Sequence, residues 1–121
     1  MLENVNNSMA CVQEEIFGPV LAVQKYRKLE EAIQMANDTR FGLGATIYSE
    51  NPRTLYAAAK KLDAGTIWMN CNVMSKIEAP YGGNKNSGLG RENGVEGLKE
   101  YLKVKNNILY VGREYDNFFG F

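Results

Sequence analysis

The 121-residue chain carries 14 basic and 14 acidic side chains, 45% hydrophobic residues and no histidine. That length supports one modest core rather than linked domains, and zero net charge removes the electrostatic drive to coat nucleic acid or an anionic membrane surface. The missing histidine excludes a His-based catalytic triad and any zinc site that needs imidazole.

In chain order, residues 1–13 are polar and asparagine-rich and read as an irregular lead-in to the short apolar stretch 9–12. Pro19 ends the preceding hydrogen-bonding pattern, and Val20, Leu21, Ala22 and Val23 then suit a short strand. Over residues 29–37, Leu29, Ala32, Ile33 and Ala36 form a helical stripe, with Glu30 and Glu31 at the N-terminal end that favours acids. Gly42 and Gly44 precede a second strand over residues 45–48. Asn51 then caps a helix whose first turn accepts Pro52, whose apolar side is Leu55, Ala58, Ala59 and Leu62, and whose far end is marked by Gly65. Residues 66–69 form the next strand.

The order strand, helix, strand, helix, strand predicts a compact α/β fold with a short, mainly parallel sheet and flanking helices. Residues 72–94 interrupt it with five glycines suited to tight turns. A helix follows with Val95, Leu98 and Leu102 on its apolar face, then an edge or terminal strand at 108–111, and an aromatic tail with Phe118, Phe119 and Phe121 that packs back or meets a partner.

Three groups of residues could carry chemistry. Glu14 and Glu15 stand beside Phe17 and a Gly-Pro turn; they suit a solvated surface, or a nucleotide hydroxyl bound by a carboxylate with an aromatic packed on a neighbouring ring. The run 80–91 suits structural turns, or an anion held by backbone amides with Lys85 or Arg91. It lacks both the phosphate-loop spacing and the third Rossmann glycine. Cys11 and Cys71 read as packing residues, since neither has a histidine partner for nucleophilic catalysis. No pattern gives a metal site. With no apolar leader after Met1 and no apolar run near the roughly 20 residues of a membrane span, the expected location is cytoplasmic.

Three separated motifs, EEIFGPV at 14–20, ANDTRFGLGATIYS at 36–49 and APYGGNKNSGLGRENGVEGLKEYLKVK at 79–105, together resemble the C-terminal part of an NAD(P)-dependent aldehyde dehydrogenase, of the betaine-aldehyde-like branch. The resemblance covers about residues 3–111. It implies a partial catalytic domain at 1–102, an oligomerisation-type strand at 103–111, and a tail at 112–121 that matches no family feature. It further implies oxidation of an aldehyde to a carboxylic acid through a cysteine thiohemiacetal, with hydride transfer to NAD or NADP. Glu15 would reach the ribose near nicotinamide, Phe17 would be the aromatic beside it, and Tyr81 would line the aldehyde tunnel, with the turn from Lys85 to Arg91 bracing that side.

The family's nucleophilic cysteine and general-base glutamate correspond to segments before Met1, and neither Cys11 nor Cys71 replaces them. Most of the dinucleotide-binding domain is also absent. The resemblance therefore implies a fragment or subunit that is inactive alone, holds no cofactor tightly, and is completed by the missing region or by a homo-oligomer. The alternative is a noncatalytic interaction or ligand-binding module on the same scaffold.

Overall fold

In the computed structural model, which describes residues 1–112, the packing is built around one parallel strand pair and two helices. Helix α1 is a single turn, Ala10–Gln13, within the segment read as irregular, and helix α2 spans Leu29–Asn37 as its apolar stripe requires. Two-residue strand β1, Phe41–Gly42, precedes β2, Gly44–Ile47. Helix α3, Pro52–Ala59, returns the chain to β3, Thr66–Met69, which pairs in parallel with β2 in the register Gly44 to Thr66 through Ile47 to Met69. This β2–α3–β3 unit is the α/β crossover that the alternating pattern predicts.

Local chemistry explains its boundaries. The Asn51 side chain accepts a hydrogen bond from the Arg53 N–H at 2.9 Å, and Pro52 stands at the first helical position, where no donor is needed. The ladder between β2 and β3 ends in a side-chain imitation of itself. Asn70, at φ 55°, donates to the Ser49 carbonyl and accepts from the Ser49 N–H, each at 2.9 Å. Gly44 has no side chain because Trp68 covers it: a Cβ there would lie 2.5 Å from the indole ring.

The buried apolar centre among the described residues is small, consisting of Ile33 from α2 with Leu55 and Ala58 from α3. Because α3 supplies two of these three, its cap bears on the whole unit. Asn51→Ala is expected to destabilise the chain by about 1 kcal/mol, seen as a lower urea midpoint with Trp68 emission as the reporter.

The structure departs from the sequence expectations at two places. Residues 20–23 do not form a strand of the main sheet. Ala22 makes one isolated parallel bridge to Leu2, through Leu2 N–H to Leu21 O at 2.7 Å and Val23 N–H to Leu2 O at 2.9 Å. The pairing stops there because the chain turns away at Asn4, whose φ is 59°. Helix α4 spans Gly94–Lys99, but the apolar face expected to be buried is not: Val95, Leu98 and Leu102 are all exposed, and Gly97 is the buried residue. Close approach decides this, since a Cβ on Gly97 would lie 2.9 Å from the Glu92 carbonyl carbon. Residues 103–111, expected as an oligomerisation-type strand, are in no strand among the described residues of the single chain, where a strand that pairs between subunits has no partner subunit to pair with. The expected tail at 112–121 lies, after Gly112, outside the described residues.

One pairing had no sequence signal. Strand β4, Asn84–Lys85, pairs antiparallel with β1, Phe41 opposite Lys85 and Gly42 opposite Asn84. Two residues are too few to show a period.

Candidate functional site

An open cleft of about 530 Å³ runs between the segment after α1 and the β1–β2 strands. Glu14 and Glu15 form one rim, Asn37 and Asp63 stand on another side, and Leu43 and Ser87 form the wall. Glu15 reaches this rim because α1 ends at Gln13 and Glu14, at φ −117°, ψ 145°, turns the backbone into an extended path. Its carboxylate is exposed. Phe17, by contrast, lies outside the cleft with 93% of its surface exposed.

A second recess of about 360 Å³ backs onto the same wall, since Leu43 and Ser87 line both. Tyr81 borders it together with Leu89, Arg91, Glu92 and Glu100. Tyr81 is fixed by an antiparallel bridge in which it exchanges both backbone hydrogen bonds with Glu92, at 2.7 and 2.8 Å. The two recesses thus share the Leu43 and Ser87 partition, Glu15 lining one recess and Tyr81 the other, and Phe17 lines neither.

The two cations of the glycine-rich run are occupied by protein oxygens. Lys85 Nζ donates to the Asn37 and Thr39 carbonyls, each at 3.0 Å, and lies 3.9 Å from an Asp63 carboxylate oxygen. Arg91 donates to the Gly83 carbonyl at 2.9 Å, the Gly90 carbonyl at 2.8 Å and Asn84 Oδ1 at 2.7 Å. These contacts favour the turn-bracing alternative over the anion site. Close glycine contacts complete the brace, a Cβ on Gly83 falling 2.4 Å from that of Ser87.

Asn37 is the organising residue that sequence reasoning missed. Its side chain donates to the Lys61 carbonyl at 2.7 Å and accepts from the Asp63 N–H at 2.8 Å, tying the end of α2 to the loop before β3. The only signal was an asparagine just after an apolar helical stripe, which reads equally well as a simple helix end. Ser87 was also passed over; its Oγ accepts the Gly42 N–H at 2.8 Å and so holds the partition in place. Cys11 and Cys71 are half-buried and line neither recess. Among the described residues no group of His, Cys, Asp and Glu could hold a metal ion, and no helix is long and apolar enough to cross a membrane.

A model of the aldehyde dehydrogenase family matches residues 1–107. The chain belongs to the aldehyde dehydrogenase family. It is 46% identical over 114 residues to the peroxisomal aminoaldehyde dehydrogenase 1 of Pisum sativum, covering 94% of this chain and 23% of that protein. It is 43% identical over 114 residues to the long-chain-aldehyde dehydrogenase of an Acinetobacter species, with coverage of 94% and 23%. The crystal structure of betaine aldehyde dehydrogenase from Staphylococcus aureus in complex with NAD+ superposes with a TM-score of 0.80 at 45% identity, over 82% of this chain and 20% of that one. The fold is therefore that of a partial aldehyde dehydrogenase domain, and the chain spans about a fifth of the length of the relatives it matches.

Proposed function

We propose that this aldehyde dehydrogenase chain supplies the C-terminal part of the catalytic domain of an enzyme that oxidises aldehydes to carboxylic acids with NAD(P), and that its site is completed by a further polypeptide segment. The carrying observation is exposed surface. Among the described residues the buried apolar side chains are Ile33, Leu55 and Ala58, while Leu21, Tyr48, Tyr56 and Ile77 are each more than half exposed, whereas a self-contained domain of this length buries about two-thirds of its surface. Parallel sheets are normally covered on both faces, yet among the described residues β2 and β3 contain no buried residue. A surface of this kind is the inner side of a larger domain.

The cleft fits one end of the cofactor only. Its lining includes the acceptors Glu14, Glu15 and Asp63 and no Lys or Arg, so it suits sugar hydroxyls and not a pyrophosphate, which requires cationic or helix N-terminal donors. In this reading Glu15 holds the ribose beside nicotinamide, Phe17 packs against the ring system once the site is assembled, and Tyr81 forms part of the aldehyde wall. The bound cofactor supplies the hydride acceptor. The partition of Leu43 and Ser87 keeps the ribose rim and the aldehyde wall in fixed relation. Residues 103–111, with Val104, Ile108 and Leu109 almost fully exposed, provide the strand that pairs outside this chain, in the completed enzyme or in an oligomer.

The test is reconstitution. The purified chain should give no aldehyde-dependent reduction of NAD or NADP, and mixing it with a separately inactive polypeptide spanning the rest of an aldehyde dehydrogenase should restore the absorbance of the reduced cofactor. Reduction that scales linearly with the chain alone would overturn the need for a completing segment. A stable mixed complex without turnover would instead favour the noncatalytic module.

A further inference from the structure

Asn93–Gly94 is the one Asn-Gly step in the sequence. Asn93 has φ 64° and ψ 168°, a backbone region essentially reserved for glycine, where another residue is strained. Its carboxamide caps no helix N–H. The side chains of Asn7, Asn37, Asn51, Asn70, Asn72 and Asn84 are all held by hydrogen bonds. Gly94 has no side chain of its own to shield its nitrogen, which donates one hydrogen bond, to the Ile77 carbonyl at 2.9 Å, while the Glu78–Pro80 backbone packs against its Cα. Helix α4, which begins there, is anchored by one buried residue, Gly97 against Glu92, and leaves Val95 67% and Leu98 59% exposed. A six-residue helix with a single buried residue opens locally at small free-energy cost, and opening releases the Gly94 N–H.

We propose that Asn93–Gly94 is a self-modification site of the folded chain, at which Asn93 loses ammonia and becomes aspartate or isoaspartate. The Gly94 nitrogen attacks the Asn93 side-chain carbonyl carbon and forms a new C–N bond. The old C–N bond breaks, and the proton from Gly94 leaves with the side-chain nitrogen as ammonia, giving a five-membered imide. Water then opens the imide at either carbonyl, leaving a free carboxylate and either the original main chain or one routed through the side-chain carbon. Nothing is oxidised or reduced, and solvent water is the sole co-reactant. The isoaspartyl product inserts a methylene into the main chain and so relieves the strain at residue 93. The consequence falls on Tyr81, because Glu92, the preceding residue, makes both of the hydrogen bonds that fix it. This inference does not depend on the dehydrogenase reading.

The chain is incubated in mildly alkaline buffer, in parallel with and without denaturant. Isoaspartate is counted by enzymatic carboxyl methylation and located by peptide mapping, while Trp68 emission reports the fold. Isoaspartate should accumulate first at residue 93, at a rate within about a hundredfold of that in denaturant, with native Trp68 emission. Greater protection than that, or modification that begins elsewhere, would overturn the proposal. So would equal rates accompanied by denatured Trp68 emission in plain buffer. Asn93→Gly, which tolerates the same backbone geometry, should abolish the residue 93 product and keep native emission; an unchanged yield of product would count against the site.

Discussion

Gly65→Ala should destabilise the chain by about 3 kcal/mol or more, enough to remove a cooperative urea transition from a fold with so small a core. Gly65 has an ordinary backbone conformation, so the effect is one of space. An added Cβ would lie 1.7 Å from the Gly82 carbonyl oxygen and 2.8 Å from its carbon. Both obstacles are main chain, and neither can rotate away as a long side chain would. Relief requires separating the start of β3 from the Gly82–Gly83 turn, which also strains the hydrogen bond from Gly65 N–H to the Gly42 carbonyl at 2.9 Å. That turn connects Tyr81 to β4, so the displacement reaches both the second recess and the partition. Gly18→Ala is the matched control, because nothing lies within 4 Å of a Cβ there, and it should change stability by no more than about 0.5 kcal/mol. Equal urea midpoints for the two variants would refute the steric account.

In the reconstituted enzyme, Glu15→Gln should raise the cofactor KM about ten- to a hundredfold, the range expected for losing a charge-assisted hydrogen bond of about 1.5–3 kcal/mol. The aldehyde KM should move little, because Tyr81 and Glu15 line different recesses. Steady-state kinetics with each substrate varied in turn separates the two outcomes. Unchanged cofactor affinity and turnover would remove Glu15 from the site, and a parallel rise in both constants would show that the substitution had disturbed the partition instead.

How much of this was legible before the structure differs by element. The β2–α3–β3 unit was readable almost to the residue, because its signals are local: a cap at Asn51, proline at the next position, an apolar stripe through Leu55 and Ala58, and a β-branched and aromatic run before Asn70. Helix α4 was found but turned the wrong way. Periodicity identifies which side of a helix is apolar, while burial depends on what surrounds it, and here Gly97 packs closely while Val95 and Leu98 face outward. The strand expected at residues 20–23 failed for a related reason, since an apolar run states readiness to pair and Leu2 offers it only one bridge. The candidate site divides the same way. Glu14 and Glu15 stand out in EEIFGPV and line the cleft, whereas Asn37 and Ser87 act only through hydrogen bonds to the segments at 61–63 and to Gly42.

Length, zero net charge and missing histidine narrowed the chemistry, and three ordered motifs pointed to the family from the one-dimensional pattern alone. The sequence determined these because each depends on residue identity at fixed spacing. Only the tertiary structure decided that Glu15 and Tyr81 share a wall, that Lys85 and Arg91 are consumed by backbone oxygens, and that three residues form the buried apolar centre of the described chain. Those are properties of distance and solvent exclusion. They arise when segments far apart in sequence meet, and a cation or an apolar face carries no mark of its partner until they do.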